Sequence, residues 1–228
     1  MCGRHSLFAP PSVLEERFGA AFGADVTYRP RYNVPPGRGT AVITNEAPAT
    51  IQEFRWGLVP QWADDPGGGF ANARSETAAE KPAFRDAWSS RPCLVLSSGY
   101  YEWRETTRGP NRPYRFHRGN SPFAMAGLWS VWEGGGEAVH TVTVLTTDPN
   151  DVARPVHDRM PVVLPSGAEA AWLDGGPDER ATLCRPYPGD DLTADPVSTR
   201  VNDPANDSPS LVDPLGHDQS GLDEFAGD

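Results

Sequence analysis

Apolar and polar positions along this chain change places in short bursts, and few of the bursts are long enough for an extended helix. Cys93–Ser97, Tyr100–Arg104, Tyr114–His117, Phe123–Trp132 and His140–Thr147 are rich in aromatic and branched residues and read as successive strands. Ala41–Thr44 and Thr50–Arg55 form an earlier pair across the turn-prone Asn45–Pro48, and Pro161–Leu164 is a later strand. Gly109-Pro110-Asn111 and Gly134-Gly135-Gly136 supply turns, and Asp64–Gly69 must be a loop. Ser12 and Glu15 have capping-box spacing, so a short helix is expected to run from Ser12 to about Gly19. A second helix is expected from Ser75 or Thr77 to Trp88, limited early by Pro82. Ala168–Leu173 and Asp178–Cys184 are further short helices, and Val197–Thr199 returns to the sheet. No strand–helix–strand alternation is present. The pattern predicts an α+β fold, a single compact domain whose mostly antiparallel sheet is strongly curved and barrel-like.

The chain of 228 residues is long enough for one well-filled core, and 38% hydrophobic content fits a soluble globular protein. No apolar run reaches the roughly 20 residues of a membrane-spanning helix, and the start, MCGRHSLFAPP, has no secretory signal, so the expected location is cytoplasmic. Three dispersed cysteines fit neither a disulfide framework nor a zinc site; no metal and no cofactor is expected. Beyond about Asp213 the chain is acidic and weakly apolar, which predicts a disordered tail over 213–228.

The formal charge of −11 argues against nucleic acid until its distribution is read. Residues 1–118 carry 15 of the 20 basic and 12 of the 31 acidic groups, a net of +3, which leaves −14 on the remainder. A chain with its cations concentrated in one half can present a positive cleft. A solvated acidic surface suited to high salt is the competing explanation of the bias.

Six segments hold residues capable of chemistry. Cys2 comes first: removal of Met1 would expose a thiol and an α-amine on one residue, the second with a reference pKa of about 7.7–8.0. That pair condenses with aldehydes to a five-membered thiazolidine, and it also suits acyl transfer. Against this stands a chance cysteine in a frayed terminus. In Asn72-Ala73-Arg74-Ser75-Glu76, Asn72 suits orientation of a substrate oxygen and Arg74 a phosphate, near a helix start with anion-binding amides; an ordinary turn and cap is the alternative. Glu102 in Tyr100-Tyr101-Glu102-Trp103 is a carboxylate among aromatics, a general-acid candidate or a surface ion pair. His157 and Arg159 in Pro155–Pro161 offer a proton switch and a phosphate clamp, or a structural loop histidine held by Asp158. Arg31–Gly37 and Arg55–Trp62 combine aromatics with arginine, suited to stacking on unpaired bases or to a core.

Together these segments resemble the SOS response-associated peptidase (SRAP) family, over about residues 2–212. The likeness rests on Met1-Cys2-Gly3-Arg4, Arg31–Val34 with Pro36-Gly37, Trp56–Pro60 with Trp62, Asn72–Thr77, Gly99–Trp103, His157–Pro161, Val201-Asn202 and Asn206-Asp207. The resemblance implies one β-rich domain that binds single-stranded or junction DNA at abasic sites and captures the ring-opened sugar through processed Cys2. It implies catalytic roles for Cys2, Asn72, Glu102 and His157, and DNA contacts by Arg4, Pro36, Trp62, Arg74, Trp103 and Arg159. It leaves replication machinery as a further partner, and membrane and metal as none. A cysteine-dependent peptidase or amidohydrolase with Cys2 as nucleophile, and a single-strand-binding module with an incidental Cys2, remain open. The Pro35-Pro36 pair, the Gly-rich stretch at 67–69 and the acidic tail depart from the family pattern.

Overall fold

The computed structural model describes residues 2–134 and 136–216, so most of the tail expected at 213–228 lies outside the described residues. Strands are β1 (His5–Leu7), β2 (Ala21–Phe22), β3 (Arg31–Val34), β4 (Gly39–Thr44), β5 (Thr50–Trp56), β6 (Asn72–Arg74), β7 (Pro92–Ser97), β8 (Gly99–Arg104), β9 (Arg112–His117), β10 (Phe123–Gly134), β11 (Glu137–Thr147), β12 (Met160–Pro161) and β13 (Thr193–Pro196). Helices are α1 (Pro11–Phe18), α2 (Ser75–Ala78), α3 (Arg85–Ser90), α4 (Glu169–Asp174) and α5 (Pro177–Leu183). The domain is α+β and mostly strand, as the pattern predicts.

In one sheet the order is β12-β11-β10-β7-β4-β5-β2, and a parallel pairing of β5 with β11 closes β5-β4-β7-β10-β11 into a five-strand barrel. The second sheet runs β13-β9-β8-β1-β3. Strand pleating explains why β7 and β10 are buried on both faces. Leu94, Leu96, Ala124, Ala126 and Leu128 enter the core shared with Leu14, Trp88 and Trp172 of the helices. The alternate residues Cys93, Val95, Phe123, Met125 and Trp129 enter a second core with Tyr100 and Phe116 of the other sheet. Cys2 lies in that second core.

Several local expectations need correction. Helix α1 starts at Pro11 without a side-chain cap, so Ser12 and Glu15 form no capping box; proline's fixed φ sets the first turn instead. The helix expected up to Trp88 is two helices, α2 and α3, because Pro82 cannot continue the first. Return to the sheet comes at β13, before Val197, while Thr199–Asn202 is a 3-10 turn. Strands β1, β2, β3, β6 and β13 are two to four residues long, and no alternation marks so short a run.

The loop between β5 and β6 is pinched at its neck. Gly57 and Gly69 have φ of +129° and +59°, and a Cβ on Gly69 would lie 2.3 Å from the Gly57 carbonyl oxygen. Glycine is needed there because the two backbones touch, with Leu58 bridging Phe70. That pinch projects Trp62 and Phe70 outward, 63% and 46% exposed.

Candidate active site

Cys2 precedes β1, which pairs antiparallel with β8 in the register His5 to Tyr100. Continuing that register carries Cys2 toward Glu102, and the Tyr101 amide donates to Arg4 O at 2.9 Å along the way. Both Cys2 and Glu102 are buried. Burial, followed by the Glu102 charge, pushes the Cys2 thiol well above its usual range. Burial likewise raises the Glu102 carboxyl to about 7, where acid and base forms are both populated near neutrality.

Two further segments close on this pair. Strand β6 runs parallel to β11, with Asn72 opposite Val144, and Asn72 Nδ2 donates to Cys2 O at 2.7 Å. After β11 the chain turns at residues 151–156 and brings His157 Nε2 to 3.9 Å from Glu102 Oε2. That span is too long for a direct hydrogen bond, and an oxygen set to one side of the line joining them could contact both. His157 Nδ1 accepts from the Arg159 amide at 3.0 Å and lies 2.9 Å from Asp158 Oδ1. The amide contact suits the neutral ring with its proton on Nε2, whereas Asp158 suits the doubly protonated ring. Burial lowers the His157 pKa, which favours the neutral form.

The four residues expected to be catalytic are therefore brought together. The expected DNA contacts divide. Pro36, Arg74 and Trp62 are exposed. Arg4 is buried, donating through Nη1 to Asn33 Oδ1 at 2.6 Å and Val201 O at 2.7 Å, and lies over the Trp103 ring at 5.8 Å. Trp103 is half-buried and donates to Asn202 Oδ1. Arg159 is engaged by Glu76 in a forked pair and by Asp148. Arg4 and Arg159 thus already have anionic or carbonyl partners, because burial of a guanidinium demands them. Helix α2 is four residues long and lends little dipole to an anion, so Arg74 offers a side-chain contact rather than a helix-terminus site.

Two recesses are each lined by a residue that interacts with the buried Cys2, Glu102 in one and Asn72 in the other. One, of about 1220 Å³, is lined by Glu102, Trp103, Asp148 and His157; the other, of about 700 Å³, by Trp62, Phe70, Asn72, Arg74 and Lys81. Sequence reasoning missed Phe70, Tyr100 and Glu76. The Tyr100 hydroxyl is buried with no hydrogen-bond partner among the described residues, and its phenol is raised by burial and then by Cys2 and Glu102. Its place on the Glu102 face of β8 was the available signal. Among the described residues no group of three His, Cys, Asp or Glu side chains is arranged to hold a metal, and no helix is long and apolar enough to cross a membrane.

The model of the SOS response associated peptidase (SRAP) family matches residues 1–204. The abasic site processing protein YoqW of Bacillus subtilis is 37% identical over 222 residues, covering 93% of this chain and 99% of its own. The abasic site processing protein HMCES of Xenopus tropicalis is 30% identical over 223 residues, covering 81% of this chain and 66% of its own. A crystal structure of a Bacteroides thetaiotaomicron protein superposes with a TM-score of 0.82 at 27% identity, covering 94% of this chain and all of that one. A second, from Bordetella bronchiseptica, gives 0.76 at 28% identity, with 86% and 100% covered.

Proposed function

The chain belongs to the SOS response associated peptidase (SRAP) family, and from that premise we propose that it processes abasic sites in DNA by capturing the sugar aldehyde on Cys2. The observation that carries the reading is the placement of Cys2, buried beside Glu102 and held through its carbonyl by Asn72 at 2.7 Å. Relatives named as abasic site processing proteins support the substrate.

With Met1 removed, Cys2 would carry a free α-amine and a thiol. The abasic sugar is mostly a cyclic hemiacetal, which does not react with amines. Glu102, protonated in part near pH 7, gives a proton to the ring oxygen while the C1′ hydroxyl loses one, and the aldehyde opens. The amine adds to the aldehyde carbon, and loss of water leaves an imine. The thiol then transfers its proton to the carboxylate or to His157, and sulfur adds to the imine carbon to close the thiazolidine. The balance is aldehyde, amine and thiol to thiazolidine and water, with no oxidant. His157 steadies the sugar oxygen between Nε2 and Glu102, and Asn72 fixes the Cys2 backbone.

Single-stranded or junction DNA is the form these recesses suit, since a strand without its partner can bend around Cys2. Trp62 and Phe70 offer faces to an unpaired base, Trp103 and Pro36 to its neighbour, and Arg74 to a phosphate. Arg4 acts by shaping the loop at Val201, and Arg159 contacts a phosphate only by exchanging Glu76 or Asp148 for it. The test is a denaturing gel of the processed protein with uracil-containing DNA made abasic by glycosylase. A heat-stable band that requires Cys2 is the expected result; peptide turnover or a purely reversible shift in its place overturns the reading.

A further inference from the structure

We propose that Glu76 is a positioning residue for the His157 side of this site, acting through Arg159; the inference rests on the capture reading above. Glu76 lies in the first turn of α2, four residues after Asn72. Its carboxylate meets Arg159 as a fork, Oε1 accepting from Nη1 at 2.8 Å and Oε2 from Nη2 at 2.9 Å. The guanidinium also donates to Thr146 O at 2.7 Å, at the end of β11, and to Asp148 Oδ1 at 3.1 Å. The Arg159 side chain is 12% exposed and that of Glu76 47%, so the fork is shielded from the arginine side and open to water on the carboxylate side.

The backbone of Arg159 completes the link. Its amide donates to His157 Nδ1 at 3.0 Å, and in the neutral ring that this contact suits, the proton sits on Nε2, the nitrogen facing Glu102. One ion pair therefore joins the segment that holds Cys2 through Asn72 to the segment that presents His157. A planar guanidinium with both Nη atoms engaged has one orientation, and that orientation sets where residues 157–159 stand against β11. Asp148 is a weaker candidate for the same task, since it meets a single Nη and its own side chain is 78% exposed. Partial burial opposes ionisation of Glu76, but the Arg159 hydrogen bonds outweigh it and hold the carboxyl below its ordinary range. The fork thus stays charged while Glu102 titrates.

The test compares wild type, Glu76→Gln and Glu76→Asp, each also combined with His157→Ala, on one abasic single-stranded oligonucleotide. Maximal rate of Cys2 adduct formation, half-saturating DNA concentration and thermal melting are measured together. Glu76→Gln is expected to slow the maximal rate by about 10- to 100-fold, the scale of a misplaced catalytic group, with half-saturation changed by less than about 3-fold. The loss should vanish beside His157→Ala, because two residues acting as one unit are not additive. Glu76→Asp, which keeps the charge, should fold and recover part of the rate. Additive losses in the double variant, or tighter DNA binding at an unchanged rate, overturn the proposal. Failure of the wild type to form any Cys2 adduct refutes the capture reading instead, whereas adduct at full rate by Glu76→Gln refutes only the role of Glu76.

Discussion

The two recesses are built from opposite materials. On one side Glu102 is buried at the foot of a cleft with His157, and both have displaced pKa values caused by that burial. On the other side Trp62 and Phe70 stand exposed above Asn72, with Arg74 and Lys81 at the rim. Low-dielectric surroundings make proton donors near neutrality out of ordinary carboxyls, whereas exposed rings and cations are accessible for contact. Under the capture reading, proton chemistry falls to the first side and contact with the strand to the second. Cys2, fully buried, interacts with Glu102 of the first and with Asn72 of the second.

The largest effect belongs to Cys2 itself, which neither side can replace. Cys2→Ala should give no heat-stable adduct while shifting abasic DNA on a native gel within about 3-fold of wild type, since the contacts come from other residues. A variant retaining an extra residue before Cys2 should behave alike.

Next is Glu102→Gln, expected to slow capture of cyclic abasic DNA by about 10²–10⁴-fold, with a smaller deficit on an aldehyde that cannot cyclise. Wild-type rate should fall on the alkaline side as Glu102 ionises above about 7 and on the acid side as the amine protonates, a bell that loses its alkaline limb in the variant. Stability should move the other way. The folded pKa of Glu102 lies above its unfolded value, so the protonated form favours folding and ionisation opposes it. The handicap is absent below about pH 4.3, grows as pH rises and is complete above about 7. Glu102→Gln should therefore be more stable than wild type at pH 8, by about 3–4 kcal/mol from denaturant melts, and indistinguishable at pH 4. Equal stability at pH 8 would remove burial as the cause of the shift.

On the holding side the effects are smaller. Trp62→Ala should weaken binding by about 1–3 kcal/mol, and Arg74→Ala should flatten the log-affinity against log-salt slope by about 0.7, both with the adduct rate at saturation unchanged. A fall in that rate would mean that the two sides are not separable. Smallest is Tyr100→Phe, which removes a buried hydroxyl without a partner among the described residues; melting should change by less than about 1 kcal/mol, upward if at all.

Much of this was legible beforehand. The long strands β7, β8, β10 and β11 follow from runs of aromatic and branched residues, and the family motifs name Cys2, Asn72, Glu102 and His157 in order. The segment around Trp62 suited either stacking or a core, and only the family resemblance named it as a contact; the structure decides exposure, leaving the ring 63% exposed. Arg4 and Arg159 were less legible: a sequence assigns an arginine a charge but not a partner, and here Asn33, Val201 and Glu76 claim them from 29, 197 and 83 positions away.

The sequence by itself determined which atoms are available: a thiol that becomes adjacent to an amine, a carboxyl among aromatics, and alternation that commits the chain to a curved sheet. Only the tertiary structure decided their states. Closure of β5 on β11 and pairing of β1 with β8 bring residues 2, 72, 102 and 157 together, with Cys2 and Glu102 buried and Asn72 and His157 half-buried. There the loss of water, a property of the packed surroundings and of no single residue, raises Glu102 and lowers His157.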